Sequence, residues 1–487
     1  MSVMAALELK RSVRVVLSRK QMFTFGHRPP TLQTMRFGAD ASGRLTALGH
    51  AALGETSQFE DYIENVVNWG GMLYPAENTK LEYQIIPMDV FSPLDMRAPG
   101  GSTGMHAIES TLDELAYALH MDPVQLRLAN YTTTDPSKKK PYTSKELKAC
   151  YEQGAERFGW YNRNPEPRSM RRGSKLVGYG MATGIWEANQ LVARVAATVR
   201  SDGKLHISSA VTDIGTGTKT VMAQIAADEL GLPIENVIVG YGDSDMPFAP
   251  IQGGSFTLAT LGSAIQASCM ALRKKLLKIA AKAPDSPFSG LKTDDVVFRD
   301  GMFFLKDNPA QIMSLQTVIE LNKGKEVRTV NTGLPRVFKT KNYARAAHSA
   351  AFVEVEVDEE LGIIQVKRAL TTVAAGRIIN PKTARSQILG GMVWGISKAL
   401  MEETSQDHRL GKYMNPNLAE YHIPVHADVH DLDVVFVEEK DELINGLGIK
   451  GVGEIGLVAM VPAITNAIFH ATGKRIHKLP VRLDALL

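Results

Sequence analysis

The stretch on which the interpretation of this sequence depends is GLGIKGVGEIGLVAMVPAITNAIFHATG, residues 446–473. Glycines punctuate its first half, and apolar residues at helical spacing fill the second, which predicts a turn leading into a buried helix. Glu454 lies at the junction. A helix start favours a carboxylate through the helix dipole. The same position also suits a general base, because burial raises a carboxyl pKa while backbone amides lower it.

Composition excludes several classes of function. The chain has 487 residues, of which 44% are hydrophobic and 22% charged, and its net charge is only +3. At roughly 150 residues per domain this length suggests about three folding units. The short basic runs at 138–140, 168–175 and 273–275 lack interleaved aromatic residues, so we interpret them as solvated surface and expect no nucleic-acid partner.

Cysteine content and hydropathy limit cofactors and location. Cys150 and Cys269 form no CxxC pair, and an iron–sulfur cluster needs about four thiolates, so one-electron carriers are expected on another chain. The longest apolar run, 457–469, is interrupted by Pro462, Thr465 and Asn466, which argues against a membrane span. No secretory signal is apparent. The predicted location is therefore the cytoplasm, or the periplasm if a partner subunit carries the export signal.

The order of predicted elements indicates an α+β fold with twisted, mainly antiparallel sheets and packed helices. Two hairpins, at 193–211 and 350–373, each lead through a glycine-containing turn into a helix. Two helices are predicted around Pro123, and we place domains at 1–160 and 161–487. The start, VMAALELK followed by the strand-like VRVVL, resembles the interior of a domain, so we expect the first domain to be incomplete.

Two further motifs are weaker. Gly451, Gly453 and Gly456 fit the dinucleotide fingerprint, but no strand directly precedes them and a basic segment occupies the place of the ribose-binding acid. A nicotinamide-dependent enzyme therefore stays an alternative hypothesis. His422, His426 and His430 have the spacing of ligands on one helical face, yet Pro424 would break that helix, so we predict no metal site there.

Five ordered segments resemble the motifs of the molybdenum hydroxylases, the xanthine dehydrogenase and aldehyde oxidase family, and most closely the large subunits of bacterial aldehyde oxidoreductases. They are the arginine–glycine segment MDVFSPLDMRAPGG with the helices that follow it, TDIGTGT, QGGSFTLATLGSAIQASC, AAGRIINPKTARSQILGGMVWGI, and GIKGVGEIGLVAMVPAITNAI. The resemblance implies two molybdopterin-binding domains. Because the family's subunits carry a further domain and a glycine–phenylalanine loop upstream, this chain is expected to match their C-terminal portion.

The resemblance also implies roles for individual residues. Glu454 matches the active-site base and Arg97 the active-site arginine, while Trp186 or Glu187 would line the substrate pocket. No metal ligand from the protein is implied. The residues expected to bind the pterin cofactor are Ile214, Gly215, Thr216, Ser255, Phe256, Thr257, Gln387, Gly451, Val452 and Gly453. Thr216 and Ala375 depart from the family, which often has glutamine and aspartate there, and no cysteine follows Arg97 as in the carbon monoxide dehydrogenase branch.

The implied activity is hydroxylation of aldehydes to carboxylic acids with water. The implied cofactor is molybdenum–molybdopterin, in bacteria often as the cytosine dinucleotide. Electrons would pass to an iron–sulfur subunit and then to an FAD subunit, and an upstream large-subunit polypeptide is a further expected partner. Two alternatives stay open: an N-heterocycle hydroxylase of the same family, and a non-catalytic fragment that acts as a scaffold.

Overall fold

The computed structural model describes residues 1–486, and its α+β architecture agrees with the sequence-based prediction. Within these residues the helices are α1 (Ser2–Leu9), α2 (Arg19–Met22), α3 (Asn68–Leu73), α4 (Gly101–Ala118), α5 (Pro123–Ala129), α6 (Leu147–Phe158), α7 (Thr218–Leu230), α8 (Thr257–Ala280), α9 (Leu315–Leu321), α10 (Val337–Thr340), α11 (Pro381–Leu400), α12 (Ile455–Val458) and α13 (Met460–Thr472).

The strands of the same residues are β1 (Thr31–Ala39), β2 (Leu45–Ser57), β3 (Asn78–Met88), β4 (Thr134–Asp135), β5 (Lys140–Pro141), β6 (Met170–Arg172), β7 (Lys175–Glu187), β8 (Ala193–Val199), β9 (Leu205–Ser209), β10 (Val237–Tyr241), β11 (Val296–Arg299), β12 (Met302–Leu305), β13 (Ile312–Ser314), β14 (Val327–Gly333), β15 (Ala346–Asp358), β16 (Ile363–Ala374), β17 (Gln406–Asp407), β18 (Lys412–Tyr413) and β19 (Asp431–Phe436).

Four sheets of three or more strands are present in the described residues. Their strand orders are β1-β2-β3, β10-β9-β8-β14, β11-β12-β13 and β19-β16-β15-β7-β6. Pairing is antiparallel except between β2 and β3, β9 and β10, and β16 and β19. Sheets in the chain are thus mainly antiparallel, as predicted. In the five-stranded sheet β15 pairs with β7 and β16 on its two sides, so it is covered along both edges.

Both predicted hairpin–turn–helix units are present. β8 and β9 pair antiparallel and lead into α7, and β15 and β16 pair antiparallel and lead into α11. The start of α11 is specified locally: the Asn380 side chain accepts a hydrogen bond from the Thr383 amide, and Pro381 occupies the first turn. Asp122 and Pro123 begin α5 in the same way. These caps explain why the helix positions could be predicted from sequence.

Two main cores lie beneath these sheets. One joins α4 and α6 with β7, β15, β16, α11 and α13, and the other holds β8, β9, α7 and α8. Gly178 and Gly180 let α13 lie directly on β7, since a Cβ at these positions would be 2.0 Å from the Ala467 carbonyl oxygen and 2.2 Å from that of Ala463. This close contact fixes the chain that follows Glu454. The domain boundary at residue 160 stays a prediction.

One sequence-based expectation is wrong: residues 13–17, VRVVL, form no strand. Val15 and Val16 are 41% and 71% exposed, and no neighbouring strand edge in the described residues offers the pairing that an extended segment needs. β propensity without a partner edge does not make a strand.

The segment Ile455–Thr472 is long and apolar. Its length and mean hydropathy of 1.5 are those of a possible membrane span, which differs from the expectation for the shorter run 457–469, but 94% of it is buried inside the protein. Because it packs on β7 and β15 in the main core, we interpret it as a core helix.

Candidate active site

Glu454 is contacted by two segments that are distant from it in the sequence. It is the N-cap residue of α12 and lies in a half-buried position. Its Oε1 accepts a 3.4 Å hydrogen bond from the Ala98 amide, and its Oε2 accepts a 3.1 Å hydrogen bond from Oγ of Ser255. Both carboxylate oxygens are therefore oriented by donors that lie far away in the sequence.

Opposing effects act on the pKa of the Glu454 carboxyl group. Burial raises the pKa of its carboxyl group above the usual value, and Asp95 adds to this effect. The hydrogen bonds from Ser255 and the Ala98 amide, and the charge of Arg97, act in the opposite direction. A carboxylate with a raised pKa that is still hydrogen-bonded in its ionised form can accept a proton near neutral pH.

Arg97 forms hydrogen bonds both to the segment just before Glu454 and to α11. Its Nε donates to the Gly453 carbonyl and its Nη2 to the Gln387 carbonyl, both at 2.6 Å. Nη1 faces the exposed Gly390, where a Cβ would lie only 3.5 Å away. Burial lowers the pKa of Arg97, and the charge of Glu454 opposes that change. The Nε and Nη2 side of the guanidinium is thus fixed by backbone carbonyls, and its Nη1 side lies toward the surface beside Gly390.

Gln387 contributes its main chain rather than its side chain to this arrangement. Within the described residues its side-chain amide makes no hydrogen bond, although the residue is half-buried. That amide is therefore available to a bound molecule.

Gln252 links the Ser255 turn, which contacts Glu454, to a second turn at 213–216. The Gln252 amide nitrogen donates to Oγ1 of Thr218 at 2.8 Å, while its oxygen accepts from Oγ1 of Thr212 at 3.0 Å. In this second turn the Asp213 carboxylate accepts from the Gly215 and Thr216 amides at 2.9 and 3.1 Å. The turn at 213–216 is consequently preorganised, with Ile214 exposed at its tip.

The glycines of the GVG motif allow the Ser255 turn to lie close. A Cβ on Gly451 would lie 2.2 Å from the Ser255 carbonyl oxygen, and one on Gly453 would lie 3.3 Å from Ser255 Oγ. Val452, between them, packs partly against the main core. Ser255 itself has a φ of 59°, a left-handed backbone conformation that is uncommon for serine. This close approach is what brings the serine hydroxyl to Glu454.

The start of α8 matches the pterin cofactor that the motifs imply. α8 begins with no side-chain cap and no acidic residue in its first turn, whereas at the start of α7 the Asp213 carboxylate accepts a 3.3 Å hydrogen bond from the Lys219 amide. Phe256 is the N-cap of α8 and Thr257 its first residue, so free amides and the positive end of a 24-residue helix face the turn. A Cβ on Gly215 or Gly253 would meet nothing within 4 Å, so a ligand can approach this backbone. The residues present fit a long, anionic, amide-binding group.

Trp186 and Glu187 diverge, since successive strand residues point to opposite faces. The Trp186 indole N–H donates to the Gly254 carbonyl at 3.2 Å, and its ring stacks on Trp69 with centroids 5.1 Å apart. Glu187 instead pairs with Lys138 at 3.2 Å and is 41% exposed. The structure thus brings Trp186, but not Glu187, against the Ser255 turn.

The weaker motifs do not form sites. β19 ends at Phe436, well before Gly451, so the strand–turn–helix of a dinucleotide fingerprint is not formed in the described chain. His422, His426 and His430 are exposed on a segment with only a short 3₁₀ turn. No group of three metal-ligating side chains occurs among residues 1–486.

Sequence reasoning missed two contributors. The Ala98 amide carries no side-chain signal and could not have been identified. Gln252 opens the segment QGGSFTLATLGSAIQASC, so its position beside the glycine pair was the available signal.

The sequence also matches known protein families and individual relatives. Residues 1–131 and 153–430 each match the family described as the molybdopterin cofactor-binding domain. The chain is similar to the aldehyde oxidoreductase molybdenum-binding subunit PaoC of Escherichia coli K12, with 36% identity over 496 residues that cover 100% of this chain and 64% of PaoC. It is also similar to the putative xanthine dehydrogenase molybdenum-binding subunit XdhA of the same organism, with 29% identity, 96% of this chain and 63% of XdhA.

The fold also matches solved structures. The quinoline 2-oxidoreductase of Pseudomonas putida 86 superposes with a TM-score of 0.86 at 20% identity, covering 99% of this chain and 65% of that one. The chain thus spans less than two thirds of the length of the relatives it matches. Because one match alone covers more than half of its residues, the chain belongs to the molybdenum hydroxylase family and carries that family's molybdopterin cofactor-binding domains.

Proposed function

We propose that the chain is the cofactor-binding, catalytic part of a molybdenum oxidoreductase that hydroxylates aldehydes to carboxylic acids with water. The observation that carries this proposal is Glu454, a carboxylate of raised pKa held by Ser255 and the Ala98 amide beside Arg97. The similarity to an aldehyde oxidoreductase subunit, at 36% identity, supports aldehydes as the substrate class.

The overall reaction converts an aldehyde and water into a carboxylic acid, two protons and two electrons. When bound, the molybdenum cofactor supplies a Lewis acid and a two-electron acceptor. Glu454 removes a proton from the oxygen nucleophile, and the hydrogen bonds from Ser255 and Ala98 orient the carboxylate for that transfer. The Nη1 side of Arg97 stabilises negative charge that develops on the substrate oxygen.

The pterin is proposed to be the cytosine dinucleotide form, held by the turns at 213–216 and 252–257 and by the Gln387 amide. The electrons are proposed to leave through an iron–sulfur subunit and an FAD subunit. Cys150 and Cys269 are both fully buried, and burial raises the pKa of each thiol, so neither is suited to bind a cluster. PaoC is itself named a molybdenum-binding subunit, which supports partner chains here.

The decisive experiment is the Glu454→Gln variant, assayed in protein purified with its partner chains. We expect turnover to fall by about 10²–10⁴-fold, because a positioned base contributes that much and the amide cannot replace it. Molybdenum and pterin content should stay at the wild-type level. Full activity in this variant would exclude the proposed role.

A matched control is Glu229→Gln. Glu229 is a half-buried glutamate of α7 that accepts a hydrogen bond from Gln266 at 2.9 Å, roughly 16 Å along the helix from its start at about 1.5 Å per residue. This variant should keep its activity. If wild-type protein with its partners binds neither molybdenum nor pterin, the scaffold alternative is favoured instead.

An N-heterocycle hydroxylase is the second candidate. Trp186, stacked on Trp69 with an interplanar angle of 17°, is 6% exposed beside the Ser255 turn, and the part of its ring left at the surface would favour a planar substrate. The similarity to XdhA also supports it. Comparing kcat/KM for benzaldehyde and hypoxanthine separates the two candidates, and we expect benzaldehyde to be preferred.

A further inference from the structure

The Ala98 amide that contacts Glu454 is held in an unfavourable backbone conformation. Ala98 is fully buried and has a φ of 56°, in the left-handed region that costs a non-glycine residue roughly 1 kcal/mol or more. Such a conformation persists only where the surroundings impose it. The contacts of the neighbouring carbonyl and amide groups therefore decide whether the donor to Glu454 exists.

Arg28 supplies contacts of this kind. Its Nη2 donates to the Arg97 carbonyl at 2.6 Å, and its Nη1 approaches the Ala98 carbonyl at 3.5 Å. Nη1 also pairs with Oε1 of Glu64 at 2.5 Å. The planar guanidinium thus spans the two peptide groups on the C-terminal side of Arg97 and Ala98.

Glu64 holds the other end of the same turn. Its Oε1 accepts the Gly100 amide at 2.7 Å, and its side chain is fully buried. Gly100 lies so close to this segment that a Cβ would be 2.0 Å from the Asn65 carbonyl oxygen. Arg28 and Glu64 together therefore contact the carbonyl or amide groups of three residues in the turn: Arg97, Ala98 and Gly100.

The ion pair of Arg28 and Glu64 leaves a buried polar atom without a hydrogen bond in the described part of the chain, so it is a poor means of stabilising the fold. The second carboxylate oxygen of Glu64 is buried and has no hydrogen-bond partner among the described residues. A buried oxygen without a partner costs about 1–3 kcal/mol. Burying an ion pair is also weakly favourable at best, because both charges lose their hydration. Stability alone thus gives little reason for a charged pair at this turn.

From these contacts we propose that Arg28 and Glu64 are positioning residues, which hold Ala98 in its left-handed conformation so that its amide stays on the Glu454 carboxylate. The inference rests on the proposed function in that Glu454 acts there as the base. Neither residue contacts Glu454 directly within hydrogen-bonding distance. Arg97 and Asp95 are the charged groups that act on the Glu454 carboxylate.

The test measures the protonation of Glu454 in the full chain without cofactor or turnover. Infrared spectra recorded against pH follow the carbonyl band of the protonated carboxyl group, which is assigned by its loss in Glu454→Gln. In Arg28→Met we expect the midpoint to rise by about half a unit or more, since losing a hydrogen bond to the ionised form is worth about 1 kcal/mol.

Two further variants distinguish a positioning role of Arg28 from the effect of its charge and from a general effect of removing a buried ion pair. Arg28→Lys keeps the positive charge but cannot contact both carbonyls and Glu64, so its midpoint should also rise. Arg475→Met removes the arginine of a matched pair: Arg475 and Asp113 are 2.7 Å apart, with side chains 17% and 3% exposed, against 17% and 0% for Arg28 and Glu64. We expect Arg475→Met to leave the midpoint at its wild-type value.

Hydrogen exchange in the segment 97–101 gives a second measurement. The Gly100 amide should exchange at least about tenfold faster in Glu64→Gln, since a neutral acceptor holds it less strongly. A wild-type midpoint in folded Arg28→Met and Arg28→Lys would overturn the proposal, as would an equal shift in Arg475→Met. If Arg28→Met does not fold, the proposal is tested by the Glu454 midpoint in Arg28→Lys and by the exchange rate of the Gly100 amide in Glu64→Gln. Failure of the proposed function would appear separately, as undiminished turnover in Glu454→Gln.

Discussion

Ser255 Oγ lies 3.1 Å from Oε2 of Glu454, although 199 residues separate the two in sequence. The serine reaches this position through a left-handed backbone with a φ of 59°, and Gly451 makes room for its carbonyl group. The other donor to Glu454, the amide of Ala98, also comes from a residue with positive φ. Both hydrogen bonds to the carboxylate are thus built from backbone that costs energy to hold, a pattern that is common at functional sites.

Replacing Ser255 with alanine should shift the pH dependence of turnover. The hydroxyl stabilises the ionised carboxylate and so lowers the pKa of Glu454, and its removal should raise that pKa. The acidic limb of kcat/KM against pH should move upward by about 0.5–1 unit. Activity should therefore fall more at pH 6 than at pH 8. An acidic limb at its wild-type position would contradict the role assigned to this hydrogen bond.

Glu454→Gln should be more stable than the wild type at alkaline pH. Burial raises the folded-state pKa of Glu454, so its protonated form carries stability that is fully present below the unfolded-state pKa. That stability is lost as pH rises through the raised folded-state value. The amide imitates the neutral form at every pH. Melting curves should show a higher Tm for the variant at pH 8 and convergence with the wild type near pH 4.

Lys450 should be essential for stability, since its side chain is fully buried. Its Nζ lies 2.8 Å from a Glu439 oxygen and 3.6 Å from an Asp441 oxygen, and both carboxylates are also fully buried. Lys450→Met leaves two buried acids without their cation and should cost about 3 kcal/mol or more in urea unfolding. Lys440→Met is the control, because its pairing with Glu438 is on the surface. Equal unfolding midpoints for the two variants would show that the buried cluster adds nothing.

Trp186 and Glu187 should respond differently to substitution. Trp186→Phe loses the hydrogen bond to the Gly254 carbonyl, which positions the turn before Ser255, and should raise KM by at most about fivefold, the equivalent of about 1 kcal/mol for that bond. Glu187→Gln removes only an exposed ion pair with Lys138, so kcat/KM should change by less than about twofold. Steady-state kinetics with benzaldehyde measure both. A larger effect from Glu187→Gln would place that carboxylate, rather than the indole, in the substrate pocket.

Local signals explain how much of the fold was predictable. The cap and proline at Asn380 and Pro381, and the hairpin of β15 and β16 around its glycine-containing turn, are specified by residues close together in the sequence. The strand expected at VRVVL is not formed, because strand formation also depends on residues that are distant in the sequence. A strand needs a partner edge, and the local pattern does not report whether one is present.

The sequence by itself determined the elements of the site: the glycine turns, the helices that follow them and the carboxylate at the head of the last helix pair. Only the tertiary structure decided which groups hold that carboxylate. The Ala98 amide has no side-chain identity to read, and it comes from 356 residues away. The different surroundings of Trp186 and Glu187 likewise follow from the face each takes on β7. Periodicity and capping act over a few residues, whereas these contacts form only when packing closes long loops.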